Sequence, residues 1–298
     1  MEIKNYLDEQ RQLVEAAFER FIPMAEGDFN NHLEAMRYSL LAGGKRVRPI
    51  LCLAAARSVG GRNVQDDNIL PVACALECIH TYSLVHDDLP AMDNDDLRRG
   101  KATNHILYGE AGAILAGDGL LTWAFDLLSN PEYGNLDAEK KLLIIHCIAR
   151  AAGSFGMVGG QVLDIASENT SFPFERLQTI HRSKTGALIT ASIMAGAIAA
   201  GADQKQLTAL ENYGMQIGLA FQIVDDLLNA TATTEQLGKA AGSDAEHGKA
   251  TYPAYFGIEE TQKRAKQAVA EAKNCLVDFD DKARPLRLLA DYIYTRSH

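Results

Sequence analysis

The residues with the most chemistry stand together at His86-Asp87-Asp88-Leu89-Pro90-Ala91-Met92-Asp93-Asn94-Asp95-Asp96-Leu97-Arg98-Arg99-Gly100-Lys101, five carboxylates and then three cations within sixteen residues. The acids follow directly on an apolar run from Leu76 to Val85. At the end of a buried helix such carboxylates must be hydrated, paired or metal-bound, because a lone buried charge is very costly. Clustered hard oxygen donors suit Mg²⁺, which takes one or two carboxylates together with substrate phosphates and water. Arg98 and Arg99, a turn later, each offer a fork of donors to phosphate oxygens. The stretch reads as a Mg²⁺–diphosphate site, with a solvated acidic loop as the alternative.

A second acidic pair lies in Phe221-Gln222-Ile223-Val224-Asp225-Asp226-Leu227-Leu228-Asn229. Residues 222, 225, 226 and 229 share one side of a helix, a polar stripe on an apolar segment. Two carboxylate pairs facing each other from separate helices would clamp Mg²⁺, and their repulsion without it makes metal the natural partner. Gly43-Gly44-Lys45-Arg46-Val47-Arg48-Pro49 is a glycine-started loop. Its backbone N–H groups, with Lys45 and Arg48, make a metal-free anion site; a helix-capping cation cluster is the alternative. His80, about two turns before Asp87, is read as a phosphate contact, against a satisfied core histidine. In His181-Arg182-Ser183-Lys184-Thr185-Gly186 the Thr-Gly pair is unfavourable within a helix. That predicts a kink freeing a backbone carbonyl beside Lys184 and Thr185. Gln161 and Asp164, one turn apart after Gly159-Gly160, fit either tight helix packing or a polar pair facing a cavity. Gly238-Lys239 and Gly248-Lys249 add two cations beside glycines.

The elements that must position these groups are helices. Apolar residues recur at helical spacing almost throughout, and no segment alternates convincingly at period two. Helices are predicted over 4–21, 31–41, 50–59, 68–86, 106–128, 137–152, from near 174, 204–228, 255–277 and 282–296. Pro90 ends the one before the acidic stretch. The expected architecture is all-α, a single helical domain over residues 1–298. Of the 298 residues, 47% are hydrophobic, enough for a substantial core, and 23% are charged. A net charge of −10 argues against nucleic acid or anionic membranes as partners, so an anionic ligand must be held by a local basic cluster or through metal. The five cysteines form no spaced framework, which predicts free thiols in a reducing compartment. Cys74 and Cys78 with His80 suggest zinc less than they suggest a core face. Met1-Glu2-Ile3-Lys4-Asn5 lacks a basic and an apolar signal region. The Ala-rich run Ala187 to Ala200 fits a buried helix better than a membrane span. A cytoplasmic protein without membrane insertion is expected.

Taken together, the loop at 43–49, the two Asp-rich motifs and the basic loops through 248–253 resemble, over nearly the whole chain, the short-chain trans-prenyl diphosphate synthases, and most of all their bacterial farnesyl-forming members. The resemblance implies an isoprenoid-synthase-type helical bundle around a central cavity, a homodimer, joining allylic diphosphates to isopentenyl diphosphate. It implies that Asp87, Asp88, Asp93 and Asp225 hold several Mg²⁺ ions on the allylic diphosphate, which Arg98, Lys184 and Lys239 also bind, with Lys249 nearby. Lys45, Arg48, His80 and Arg99 would take isopentenyl diphosphate without metal, with Gly44 closing the loop. Thr185 and Gln222 would point oxygens at the developing allylic cation, and the departing diphosphate would accept the proton. Tyr82 and Ser83, with Pro90-Ala91 inserted in the motif, match the farnesyl pattern, so Tyr82 is expected to floor the chain pocket. Geranylgeranyl or geranyl synthesis would need only another pocket depth. The chain departs from the family at Asn229, where the second motif ends in Asp, and at Ala232-Thr233, where Gly-Asp is common. A regulatory subunit of low activity is the alternative from another class.

Overall fold

The computed structural model describes residues 2–168, 170–231 and 250–295. Twelve α-helices are found among them: α1 (Ile3–Phe21), α2 (Asn30–Leu40), α3 (Val47–Gly60), α4 (Asp66–Asp87), α5 (Asn104–Ser129), α6 (Ala138–Ala152), α7 (Met157–Ile165), α8 (Phe174–His181), α9 (Ala187–Ala199), α10 (Gln204–Thr231), α11 (Tyr252–Cys275) and α12 (Arg284–Thr295). The fold is all-α, as the periodicity predicted.

Helices α4 and α9 are apolar on every side, which only a central position satisfies. From Ile69 to Ile79, α4 is buried throughout, and Leu188, Ile189, Ile193 and Ala197 of α9 are buried too. One core cluster joins α1, α2, α4, α5 and α6 around Leu76 and Leu120. A second joins α3, α9, α10, α11 and α12 around Ile193 and Ile217. Helix α12, by contrast, buries one face only, through Leu286, Leu289, Ala290 and Ile293.

Three features depart from expectation. A two-stranded antiparallel hairpin, β1 (Leu97–Arg98) and β2 (Lys101–Ala102), follows the first acidic motif. Its two-residue turn, Arg99-Gly100, has φ 55° and 76°, the left-handed pair that matches strand twist. Arg-Gly is not one of the pairs by which such turns are usually known, so the sequence hid it. The segment after Gly156 forms the short helix α7. Helix α11 starts at Tyr252, three residues earlier than expected, because Thr251 caps it through Ala254 N–H.

Cys52, Cys74 and Cys78 are buried free thiols, and burial raises the pKa of all three. Cys74 and Cys78 belong to the core. By length and composition alone, Asp66–Asp87, Asn104–Ser129 and Ala138–Ile165 would each suffice to cross a membrane. The first of these is core here.

Candidate active site

The first acidic motif hangs from the C-terminal end of α4, where the backbone turns back on itself. The N–H of Asp93 donates to the Asp87 carbonyl (2.8 Å) and that of Asn94 to the Leu89 carbonyl (3.1 Å). Asn94 takes φ 54°, a left-handed conformation an Asn tolerates. The hairpin beyond is tied to α2 by Tyr38, whose hydroxyl donates to the Ala102 carbonyl (2.7 Å), and by Asn104, which donates to the Ala35 carbonyl (2.8 Å). This anchoring fixes Arg98, whose Nε and Nη2 reach both Asp88 oxygens at 2.5–2.9 Å. Asp88, expected to ligate metal, is therefore engaged by Arg98 on both oxygens, and Arg98, expected on the diphosphate, is engaged by Asp88.

Asp87 takes the other role. Burial pushes its carboxyl up to about 6, against the opposing pull of Lys184, with Asp93 adding repulsion. One of its oxygens accepts from Gln161 Nε2 at 3.0 Å. Lys184 Nζ donates to Asp164 at 2.7 Å. The Gln161/Asp164 pair thus faces the site, and it also packs tightly. A Cβ at Gly160 would lie 2.2 Å from the Lys184 backbone nitrogen, so only glycine lets α7 lie on this turn. Lys184 and Thr185 sit in a π-helical turn, Arg182–Gly186, the irregularity the Thr-Gly pair predicted. From α10, Gly218 approaches the same turn, with space for a Cβ only 2.8 Å from Gly186 Cα.

A separate cavity of about 560 Å³ lies beside this cluster, lined by Lys45, Arg48, His80, Arg99 and Gly44 together with Arg11, Glu77 and Asp225. All five residues assigned to metal-free diphosphate binding meet there. Arg46, the third cation of the loop, is instead fully buried. It bonds Glu15 (2.7 Å), Glu77 (3.0 Å) and the Leu40 carbonyl (2.7 Å) and so shapes the loop from behind. Its own φ is 48°, and Gly44 has φ +142°, a conformation suited to glycine. Arg99 donates to the Gly43 carbonyl across the loop. Burial, and then the charges of Arg48, Arg99, Arg98 and Arg46, hold the His80 pKa well below its ordinary value. A neutral His80 would meet an anion by hydrogen bonding and not by charge. Asp225 lines the cavity and favours the charged form of Arg48.

Asp226 has a structural task. It is buried and accepts from the Tyr252 N–H (2.8 Å), which fixes the start of α11. His181 stands 3.9 Å from it and stacks on Tyr252. Gln222 is half-buried on α10, and Asn229 is buried on the same helix. Tyr82 is 7% exposed in the core wall below Asp87, edge-on to His86, and Ser83 donates to the His80 carbonyl (2.8 Å). Lys239, Lys249 and Ala232-Thr233 lie outside the described residues. Sequence reasoning missed Glu77, Arg11 and the capping role of Asp226. A glutamate between Leu76 and Cys78 in an apolar run was the available signal for the first.

Among the described residues no three His, Cys, Asp or Glu side chains form a ready metal cage. The donor set nevertheless fits Mg²⁺. Asp87 is a carboxylate that burial and a neighbouring acid have made costly to ionise, and Mg²⁺ needs few protein oxygens when phosphates supply the rest.

An all-α bundle bearing an acid-rich site beside a basic cavity is the arrangement of an isoprenoid-type synthase. The polyprenyl synthetase family model matches residues 30–283, and the chain belongs to that family. It is 48% identical to a geranylgeranyl diphosphate synthase of Cyanophora paradoxa, over 98% of this chain and 96% of that one. It is 44% identical to a farnesyl diphosphate synthase of Geobacillus stearothermophilus, over 100% and 99%. The crystal structure of an FPP/GFPP synthase from Zymomonas mobilis superposes with a TM-score of 0.87 at 37% identity, covering 98% of each chain. The protein is a short-chain trans-prenyltransferase, of a family whose substrates are isopentenyl and allylic diphosphates.

Proposed function

We propose that this prenyltransferase extends dimethylallyl and then geranyl diphosphate with isopentenyl diphosphate and releases the C15 product, farnesyl diphosphate. The observation that carries the product length is Tyr82. Its ring is buried one helical turn and a half below Asp87 on α4, braced by His86, where a lengthening chain must pass. A geranylgeranyl synthase of the same class would need that ring absent or displaced.

The chemistry follows from the site. Asp87 and Asp93 would hold Mg²⁺, assisted by Asp88 once Arg98 turns to phosphate, with Asp225 contributing from α10. When bound, Mg²⁺ neutralises the leaving diphosphate and lowers the barrier to C–O cleavage. Arg98 and Lys184 add charge to the same oxygens, and each now rests against a carboxylate, Asp88 and Asp164, that a diphosphate would displace. Lys45, Arg48, Arg99 and neutral His80 would seat isopentenyl diphosphate in the basic cavity. Thr185 and Gln222 would offer their oxygens to the allylic cation, and the apolar wall of α4 would keep water from it. The departing diphosphate takes the proton.

The enzyme is proposed to act as a homodimer in the cytoplasm. Exposed Leu107, Ile114 and Leu115 on α5, with Leu142 on α6, support a second copy as partner, since so many large apolar side chains seldom face water. Free thiols support a reducing compartment. The test is incubation of purified protein with isopentenyl diphosphate, either allylic starter and Mg²⁺, with products separated by length. Mainly C15 is expected. Mainly C20 would move the assignment to the geranylgeranyl reading, and no product with bound diphosphate would move it to the regulatory subunit.

A further inference from the structure

A large cavity lies apart from the catalytic one. A groove of about 930 Å³ runs along the opposite side of the π-helical turn. The turn is shared between two faces. Arg182, Ser183 and Gly186 line the groove, whereas Lys184 points to Asp164 and the acidic site. The groove's floor is apolar, built by Ala187, Ala191 and Met194 of α9 with Leu219 of α10.

Two observations indicate that this space is made for a ligand. Gln216 and His181 both line it, and their Oε1 and Nδ1 atoms are buried and have no hydrogen-bond partner among the described residues, His181 being only 8% exposed. Buried polar atoms are nearly always paired, so two unpaired ones on the same groove call for a partner that occupies it. At the rim, Arg150 and Arg182 are exposed, and neither has a carboxylate within ion-pair distance among the described residues. Arg150 stands over the Phe155 ring, 5.4 Å from its centroid. Exposed Glu175 and Glu211 are the groove's remaining charges, and His146 its other histidine.

An apolar floor under two unpaired arginines matches an amphipathic anion, and an isoprenoid diphosphate is the one that a prenyltransferase itself produces. We propose that the groove is a second isoprenoid-diphosphate site, with the chain over Ala191, Met194 and Leu219, the diphosphate at Arg150 and Arg182, and the π-turn restrained when it is filled. Because the turn carries Lys184 and Thr185, a filled groove lowers turnover, and by linkage a filled catalytic site alters affinity at the groove. The ligand's identity rests on the prenyltransferase reading; the groove's capacity to bind does not.

The probe is farnesyl S-thiolodiphosphate, whose C–S bond does not ionise readily. Titration calorimetry with Mg²⁺ present counts its equivalents on wild type, Met194→Glu and Arg150→Glu. Wild type is expected to bind one equivalent per chain more than either variant, and loss of the arginine fork weakens that class about tenfold or more. In the assay, added probe should inhibit wild type partly even at saturating geranyl diphosphate, and inhibit both variants competitively only. Their uninhibited turnover should match wild type, since neither residue touches the catalytic site. Equal stoichiometry in all three folded proteins, or loss of the extra equivalent in Lys45→Ala, overturns the proposal. If the prenyltransferase product assignment is wrong, the turnover arm fails while the difference in stoichiometry persists. Inorganic diphosphate alone should not displace the extra equivalent; if it does, the groove is an anion site without a chain subsite and the proposal falls.

Discussion

Replacing Tyr82 by Ala should lengthen the product. The ring is 7% exposed, packed in the core beneath Asp87 and edge-on to His86 at 5.7 Å between centroids. On the proposed reading, its removal would open the wall at the point a C15 chain reaches. A further isoprene unit brings five carbons into that space, and at about 0.8 kcal/mol for each buried CH₂ it gains on the order of 4 kcal/mol. A quarter of this, roughly 1 kcal/mol, already changes the ratio of two products about fivefold. The empty protein loses roughly 3 kcal/mol of stability, as large-to-small aromatic changes do. Tyr82→Phe keeps the wall and should keep C15. The assay uses labelled isopentenyl diphosphate, dephosphorylation and chromatography of the alcohols, with melting curves to establish that each variant is folded. A folded Tyr82→Ala protein with an unchanged profile would refute the reasoning, because the chain would then lie elsewhere.

Asp87 gives a pH prediction with a definite sign. Its folded value, about 6, lies above that of an exposed carboxylate, so the native state keeps the proton longer as pH rises. Stability from this group is greatest in acid and declines through that window, leaving a cost of the order of 3 kcal/mol above about pH 6. Asp87→Asn should melt higher than wild type near pH 8, not near pH 4, yet lose activity; a lower melting point at pH 8 contradicts the assignment. Gly160→Ala drives a Cβ against the Lys184 backbone and should cut kcat about a hundredfold or more with the KM for isopentenyl diphosphate little changed. Full kcat in steady-state assays would show that the turn can move without loss. Glu77→Gln keeps an oxygen on buried Arg46 but removes the charge. Denaturant titration should report a loss of about 2 kcal/mol, below the roughly 3–5 kcal/mol of a wholly broken pair. Lys45→Ala should raise the KM for isopentenyl diphosphate and leave the Mg²⁺ dependence as it was, whereas a shifted Mg²⁺ optimum would place Lys45 at the metal-bound diphosphate.

The helices were legible because their cores repeat at 3.6 residues, and α4 and α9 declared their central positions by being apolar all round. The π-helical turn was legible as a propensity conflict at Lys184-Thr185-Gly186. The basic cavity could be listed from cation-bearing motifs, yet its construction could not. Nothing local in Arg46 distinguishes it from Lys45 and Arg48, and only the fold, which sets Glu15 and Glu77 around it, makes it structural. Spacing likewise made Asp225 and Asp226 look equivalent. The N–H of Tyr252, twenty-six residues away in sequence, separates their roles. Asp88 and Arg98 read as independent ligands, but a hairpin with an unusual turn pair folds them onto each other.

The most direct test of the central claim is product analysis of the purified protein with isopentenyl and geranyl diphosphates, with Mg²⁺ and again with EDTA. The account predicts predominantly C15 alcohol after dephosphorylation, abolished by EDTA and restored by added Mg²⁺. Product formation that persists in EDTA, or no condensation from either starter by folded protein, would contradict it.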